Sequence, residues 1–217
     1  MNLMTEKEYK KGTTTVGLIC VDGVVLAADK RASVGHLAMH KKVEKILKVT
    51  KNIAMVIAGI VSDAQKLHGY LKAEMELYRL DKAEEPNIDI AATLMSNILY
   101  EGRKSIFPYL VGLLLAGVTD EGKFKVYSLE VSGSSIHDDY VCWGSGMELA
   151  YGVLQEGYKK GMSTQAGLLL AAKAINSALQ RDVYTGDGID VAVIDKDGFR
   201  KIAEDKITAL LKKKKAA

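Results

Sequence analysis

The sequence Gly12-Thr13-Thr14-Thr15-Val16-Gly17 decides the predicted fold, because the character of the chain changes there. The residues ahead of it, MNLMTEKEYKKG, follow neither a helical nor a strand period. From Thr13 to Cys20 the residues are mostly β-branched or apolar, which predicts a strand. We therefore expect residues 1–12 to be a detachable leader and residues 13–217 to form a single domain.

Beyond this first strand, groups of strands alternate with pairs of helices. Asp22-Gly23 predicts a hairpin into a second strand, Val24–Ala28. β-rich runs predict further strands at residues 46–50, 54–58, 111–117, 125–131, 140–143, 189–194 and 199–202. Apolar residues at three- and four-residue spacing predict helices that begin after Ser62, around Ile90–Ile98, at 147–158, at 164–180 after Ser163, and at 204–215.

The order of these elements predicts an α+β fold. Strands that are joined by hairpins imply mostly antiparallel sheets, and two helix pairs imply helices on both outer faces of packed sheets. A four-layer α/β/β/α sandwich, with two antiparallel sheets between the helix pairs, satisfies this order.

Composition and charge exclude several classes of protein. Hydrophobic residues make up 48% of the chain and charged residues 26%, which is typical of a globular protein. The longest apolar stretch, Leu110–Val118, is about half the length that spans a bilayer, so we expect no membrane partner. The leader lacks the apolar core of a secretory signal, which favours a cytoplasmic location. In that compartment Cys20 and Cys142 are expected to be small buried side chains rather than a disulfide.

Other candidate motifs are weaker. The net charge is only +3, and the lysine run Lys212–Lys215 is best interpreted as a solvated helix end, so we expect no nucleic-acid partner. His36 and His40 have no third ligand at a suitable spacing, so we expect solvent-facing histidines and no metal. No glycine-rich phosphate-binding motif is present, and we expect no cofactor.

The chemistry of the Gly12–Thr13 junction indicates a self-activating nucleophile. A threonine hydroxyl is a poor nucleophile until a base accepts its proton. The α-amine of the same residue has an unperturbed pKa of about 7.7–8.0 and can be that base. Cleavage between Gly12 and Thr13 would create this amine, and the glycine carbonyl is the least hindered target for the Thr13 hydroxyl. The uncleaved leader would therefore keep the site inactive, because the Thr13 nitrogen is then an amide and cannot act as the base.

The sequence resembles the proteasome β-subunit family, and most closely its archaeal catalytic members. The resemblance covers Gly12 to about Ile202 and rests on several blocks in the same order. These blocks are GTTTVG at 12–17, Asp22-Gly23, AADKRAS at 27–33, Ala58-Gly59, SDAQ at 62–65, EMELY at 74–78, GSG at 144–146, AYG at 150–152, QRD at 180–182 and GDGIDV at 186–191.

The resemblance implies a site in an N-terminal-nucleophile hydrolase fold. Thr13 matches the nucleophile, and Asp29 and Lys45 match the acid and the lysine beside it. Gly59 matches the residue whose N–H stabilises the tetrahedral oxyanion. Ser145, Asp182 and Thr185 match residues around the new N-terminus, with threonine at 185 where serine is usual. Ser62 stands where glycine is frequent.

The resemblance also implies a pocket, a substrate and partners. The residues expected to line the pocket are Ala32, Ser33, Val43, Leu47 and Ile57, none of them charged. The implied function is a threonine-type endopeptidase that hydrolyses unfolded polypeptides through an acyl-enzyme on Thr13. Identical subunits would form a seven-membered ring that stacks on a proteasome α-subunit ring, through which an ATPase unfoldase delivers substrate. The alternatives are a non-catalytic or unprocessed ring-building β subunit and a different N-terminal-nucleophile hydrolase that acts on small amides.

Overall fold

The structure, a computed structural model, describes residues 12–212, and these form twelve strands and five helices. The strands are β1 (Thr14–Cys20), β2 (Gly23–Asp29), β3 (Ala32–Val34), β4 (Leu37–His40), β5 (Ile46–Lys48), β6 (Ile53–Gly59), β7 (Val111–Val118), β8 (Phe124–Glu130), β9 (Ser135–His137), β10 (Tyr140–Gly144), β11 (Ile189–Asp195) and β12 (Gly198–Ile202). The helices are α1 (Val61–Lys82), α2 (Ile88–Gly102), α3 (Met147–Gly157), α4 (Thr164–Leu179) and α5 (Glu204–Lys212). Residues 1–11 of the predicted leader and residues 213–217 of the predicted last helix lie outside the described part.

Two five-stranded sheets form the middle of the molecule, and every strand pair in them is antiparallel. One sheet has the order β10-β1-β2-β11-β12 and the other the order β5-β6-β7-β8-β9. Hairpins explain most neighbours, but β10 joins β1 from a distant part of the chain, with Thr14 opposite Gly144. The first predicted strand thus lies inside a sheet, paired on both edges.

Alternation along β2 and β6 shows how the layers are built. In β2, Val25 and Ala27 face the helices α3 and α4, whereas Val24, Leu26 and Ala28 face the other sheet. The equivalent split in β6 sends Ile53, Met55 and Ile57 toward α1 and α2, and Ala54 and Val56 toward the first sheet. Successive side chains point to opposite faces, so a strand with apolar layers on both sides is apolar throughout. The predicted four-layer α/β/β/α sandwich is confirmed.

The start of helix α1 differs from the sequence prediction. We expected Ser62 as the N-cap, but the helix begins at Val61 and its cap residue is Ile60, which makes no side-chain cap bond. The Ile60 carbonyl accepts from the Ala64 N–H at 3.0 Å, and the Ile60 N–H donates to the Leu110 carbonyl at 2.9 Å. Because Leu110, the residue before β7, already holds the backbone at residue 60, the chain enters the helix directly from β6.

The other predicted helix start, at α4, is confirmed. The Ser163 hydroxyl accepts a hydrogen bond from the Ala166 N–H, as a serine N-cap does. In α2 the Asn87 side chain caps the helix by accepting from the Ile90 N–H at 2.9 Å. Among residues 12–212, no helix combines the length and the apolar character that crossing a bilayer requires.

Three short strands were not predicted. Strands β3 and β4 form a separate two-stranded hairpin, and β9 is an added edge strand of the second sheet. The β3–β4 hairpin carries His36 and His40, both of which are solvent-exposed as expected. It also exposes Val34, Leu37 and Met39, each by half of its surface or more. A strand without a buried apolar face shows no apolar alternation, so its sequence gives little signal.

Both cysteines are buried and free. Cys20 ends β1 and Cys142 lies in the adjacent strand β10, where it pairs with Val16. Burial, together with the charge of Asp22, raises the pKa of Cys20 to about 12. Burial alone raises the pKa of Cys142 far above its ordinary value. The expectation of two small buried thiols is confirmed.

Candidate active site

Thr13 lies directly before β1, at a pocket between the two sheets. Its side chain is buried, and it lines the pocket together with Lys45 and Gly59. The next residue fixes this position, because Thr14 pairs with Gly144 in the sheet and donates its backbone N–H to Asp29 Oδ1 at 3.0 Å. The predicted nucleophile therefore lies next to a strand residue that is fixed by hydrogen bonds.

Asp29 and Lys45 form a buried ion pair beside Thr13. Lys45 Nζ lies 2.6 Å from Asp29 Oδ1, and the two side chains are only 4% and 0% exposed. The other carboxylate oxygen, Oδ2, accepts from the backbone N–H groups of Arg31 at 3.1 Å and Gly186 at 2.9 Å. Four donors thus fix the position of the carboxylate, which pairs with the charge of the lysine.

The environment of Lys45 changes its acidity. Burial lowers the pKa of the Lys45 ammonium, and the charge of Asp29 and its hydrogen bond oppose part of this decrease. A lysine with a lowered pKa gives up a proton more readily than a solvated one. The pair can therefore take part in proton transfer close to the Thr13 hydroxyl.

A second polar cluster surrounds the backbone of Thr13. The Ser145 hydroxyl lies 3.4 Å from the Thr13 carbonyl oxygen and also donates to Asp182 Oδ2. Thr185 Oγ1 lies 2.5 Å from the same carboxylate oxygen and 2.6 Å from Thr14 Oγ1. Since a carboxylate only accepts, Thr185 donates to Asp182 and accepts from Thr14. The Thr185 hydroxyl therefore makes two hydrogen bonds, one as donor and one as acceptor.

Gly59, the predicted oxyanion residue, occupies a backbone conformation that favours glycine. Its φ is 100°, in the left-handed region, and a Cβ would lie 2.3 Å from the carbonyl oxygen of Leu110. It also ends β6 and lines the same pocket as Thr13. A side chain at this position would strain the backbone and push β7 away.

We expect Gly59→Ala to lower the free energy of unfolding by on the order of 1–3 kcal/mol because of this φ and the contact with Leu110. Gly69→Ala is the matched control. Gly69 lies exposed in the interior of α1, and a Cβ there meets nothing within 4 Å. The control should stabilise the chain by roughly 0.5–1 kcal/mol. Urea unfolding of both variants checks this, and equal stability changes would contradict the backbone argument.

Four of the five predicted pocket residues line the pocket: Ala32, Ser33, Val43 and Ile57. Leu47 does not, because its side chain packs against the core beneath α1 and α2. Residues two apart in a strand face the same side, but Lys45 lies before β5 begins. Lys45 can therefore face the pocket although Leu47 faces the helices. The pocket encloses about 350 Å³ of space outside the protein atoms, part of it open to solvent.

Sequence reasoning missed several residues of the site. Val61 and Ala64 line the pocket from the first turn of α1, which starts two residues after Gly59. Arg31 was quoted only as part of a motif. Its Nε lies 2.7 Å from Asp187 Oδ2, and its Nη1 donates to the Val183 carbonyl at 2.9 Å. Arg31 therefore fastens the loop that carries Thr185 and Gly186.

Comparison with known proteins identifies the family that the chain resembles. Residues 9–194 match the family described as proteasome subunit. The proteasome subunit beta of Methanothermobacter thermautotrophicus is 47% identical over 205 residues, 94% of this chain and 96% of the relative. The proteasome subunit beta of Ferroglobus placidus is 46% identical over 211 residues, 97% of this chain and 99% of the relative. The proteasome subunit beta 1 of Thermococcus onnurineus is 44% identical over 205 residues, 94% and 99% of the two chains.

The four-layer sandwich, with a threonine leading into a central strand beside a buried lysine–aspartate pair, has the architecture of N-terminal-nucleophile hydrolases. The chain belongs to the proteasome subunit family, and the relatives that share most of its length are β subunits.

Proposed function

We propose that the chain is a threonine-type endopeptidase that removes its own leader, residues 1–12, and then hydrolyses peptide bonds with Thr13. The single observation that carries this proposal is the position of Thr13, which lines one pocket with Lys45 and Gly59 while Asp29 holds the lysine at 2.6 Å. A nucleophile, a proton-transfer pair and an oxyanion donor are the groups that acyl transfer requires.

The first reaction is self-cleavage. The Thr13 hydroxyl oxygen attacks the Gly12 carbonyl carbon, and the Lys45 ammonium stabilises the negative charge that develops on this oxygen as its proton leaves. A C–O bond forms and the C–N bond between Gly12 and Thr13 breaks, with the proton delivered to the Thr13 nitrogen. Water then hydrolyses the resulting ester, releasing the leader as a carboxylic acid and restoring the hydroxyl. The product carries a free α-amine on Thr13.

The second reaction uses that amine. It accepts the proton of the Thr13 hydroxyl, with Lys45 and Asp29 favouring the ionised oxygen. Attack on a substrate carbonyl gives a tetrahedral intermediate whose oxyanion accepts from the Gly59 N–H. Collapse expels the amine product, which receives the proton from the Thr13 α-ammonium, and leaves an ester on Thr13, which water hydrolyses. Ser145, whose hydroxyl lies 3.4 Å from the Thr13 carbonyl oxygen, and Asp182, which accepts from Ser145, would hold the new ammonium or amine.

The proposed substrate and assembly are based on membership of the proteasome subunit family. The substrate would be unfolded polypeptide. Identical subunits would form a ring of seven that stacks on a proteasome α-subunit ring, and an ATPase unfoldase would deliver substrate through the α ring in the cytoplasm. The exposed apolar residues of the β3–β4 hairpin, Val34, Leu37 and Met39, support burial against another subunit.

The test is to co-express the full chain with a proteasome α subunit and to measure the particle's size, its intact subunit mass and its peptidase activity. The proposal expects a particle of hundreds of kilodaltons whose β subunit begins at Thr13 and is active. A particle that keeps residues 1–12 and hydrolyses no peptide would indicate a non-catalytic ring-building subunit. An active but monomeric chain would indicate a hydrolase of small amides.

Cleavage is expected mainly after large apolar residues, because Ala32, Val43 and Ile57 line the pocket. Lys45, the charged group there, is already neutralised by Asp29. Burying an apolar side chain contributes roughly 1.5–3 kcal/mol, whereas a charged one would be desolvated without a partner. Fluorogenic peptides that differ only in ending with Leu, Tyr, Arg or Glu should favour Leu and Tyr at least about tenfold in kcat/KM. A preference for Arg or Glu would contradict this pocket.

A further inference from the structure

Gly12 is packed against Tyr184 more closely than any side chain would allow. Gly12 is buried at the pocket beside Thr13. A Cβ on residue 12 would lie 1.5 Å from Tyr184 Cβ, 2.4 Å from Tyr184 Cγ and 2.8 Å from Tyr184 Cα. The first of these is the length of a covalent bond, so rotating the tyrosine ring would not make room for an alanine. Only a movement of the backbone would.

The backbone around Tyr184 is tied down on both sides. The Tyr184 N–H donates to Asp182 Oδ1 at 3.2 Å, and the Val183 carbonyl accepts from Arg31 at 2.9 Å. On the other side, Thr185 donates to Asp182 and Gly186 donates to the buried carboxylate of Asp29. Moving Tyr184 away from residue 12 would disturb the groups that surround Thr13. Hydrogen bonds on both sides of Tyr184 therefore hold the backbone of residues 183–186 in place beside Gly12.

We propose that Tyr184 is a positioning residue for self-cleavage, which holds residue 12 directly ahead of Thr13 and restricts it to glycine. This inference rests on the proposed self-cleavage at Gly12–Thr13. It differs from the explanation based on the sequence alone, in which glycine is needed because its carbonyl is unhindered. If hindrance at the carbonyl were the reason, a change at residue 184 would not alter the requirement. If Tyr184 imposes it, the requirement depends on the Cβ of residue 184.

The experiment follows leader loss in full-length chains co-expressed with a proteasome α subunit, by intact mass over time. Gly12→Ala and Gly12→Ser should both slow cleavage by roughly 10- to 100-fold, and to within about threefold of each other, because they share the clashing Cβ. Adding Tyr184→Gly to Gly12→Ala removes the two nearest atoms but leaves the contact of 2.8 Å with the Cα of residue 184, so it should recover only part of the lost rate, at least about threefold. Adding Tyr184→Ala keeps the nearest atom, Cβ, and should recover nothing.

These variants separate the possible outcomes. Gly12→Ala or Gly12→Ser cleaving at the wild-type rate would overturn the role of Tyr184, whether or not the double variants fold. So would equal rescue by Tyr184→Gly and Tyr184→Ala, or no rescue by Tyr184→Gly in a particle of normal size and melting temperature. Leader loss from a Thr13→Ala chain, or its retention by the wild type, would instead remove the proposed self-cleavage and the inference with it.

Discussion

Thr13→Ala is expected to abolish both leader removal and peptide hydrolysis. In the proposed mechanism one hydroxyl performs the attack in both reactions, so its loss would leave no nucleophile at the pocket that Lys45 and Gly59 line. Loss of an essential nucleophile in a hydrolase costs up to about 10⁶-fold in turnover. Intact mass should show the full-length chain, and fluorogenic peptides should be hydrolysed no faster than in buffer.

Two further variants test whether the loss of activity is due to the Thr13 hydroxyl. Thr13→Ser keeps the nucleophile and should retain measurable cleavage and turnover. Thr15→Ala removes a hydroxyl that donates to the Trp143 carbonyl at 3.1 Å, and it should still lose its leader. A Thr13→Ala chain that processes itself without wild-type subunits would disprove the assignment.

Lys45→Ala is expected to lower kcat/KM for peptides by about 10²–10⁴-fold, since the nucleophile loses its proton-transfer partner. The chain should still fold, because Asp29 keeps three backbone N–H donors after the lysine is gone, from Thr14, Arg31 and Gly186. Lys48→Ala is the matched control, as Lys48 lies three residues on and is exposed. The measurement is kcat/KM for fluorogenic peptides on assembled particles of both variants. Turnover near the wild-type value in Lys45→Ala would rule out the proposed site.

The layered fold was predictable because local patterns carry it. Runs such as Val24–Ala28 are apolar at every position, which indicates strands with a packed layer on each face. The neighbour relationships were not predictable in this way. The local sequence pattern does not predict that β10 pairs with β1, because Thr14 and Gly144 are far apart in the sequence. The β3–β4 hairpin was missed because it is largely exposed and buries no apolar face of its own.

The candidate site was predictable only where chemistry or resemblance singled out a residue. The Gly12–Thr13 junction suggests its own chemistry, whereas Lys45 is one of thirty basic residues and gains its meaning from burial against Asp29. Leu47 was expected at the pocket but packs beneath the helices, because side-chain direction depends on where β5 begins. The contact between Gly12 and Tyr184 joins parts of the chain that no sequence pattern connects.

The burial of Cys20 and Cys142 has a practical consequence for spectroscopy. Thiol labels react with the thiolate, and burial raises the pKa of both residues, that of Cys20 to about 12. A maleimide dye at neutral pH should therefore leave the folded protein unlabelled. One cysteine introduced at an exposed turn residue such as Glu121 would then carry a single fluorophore. Site-specific labelling would therefore not require the removal of Cys20 and Cys142.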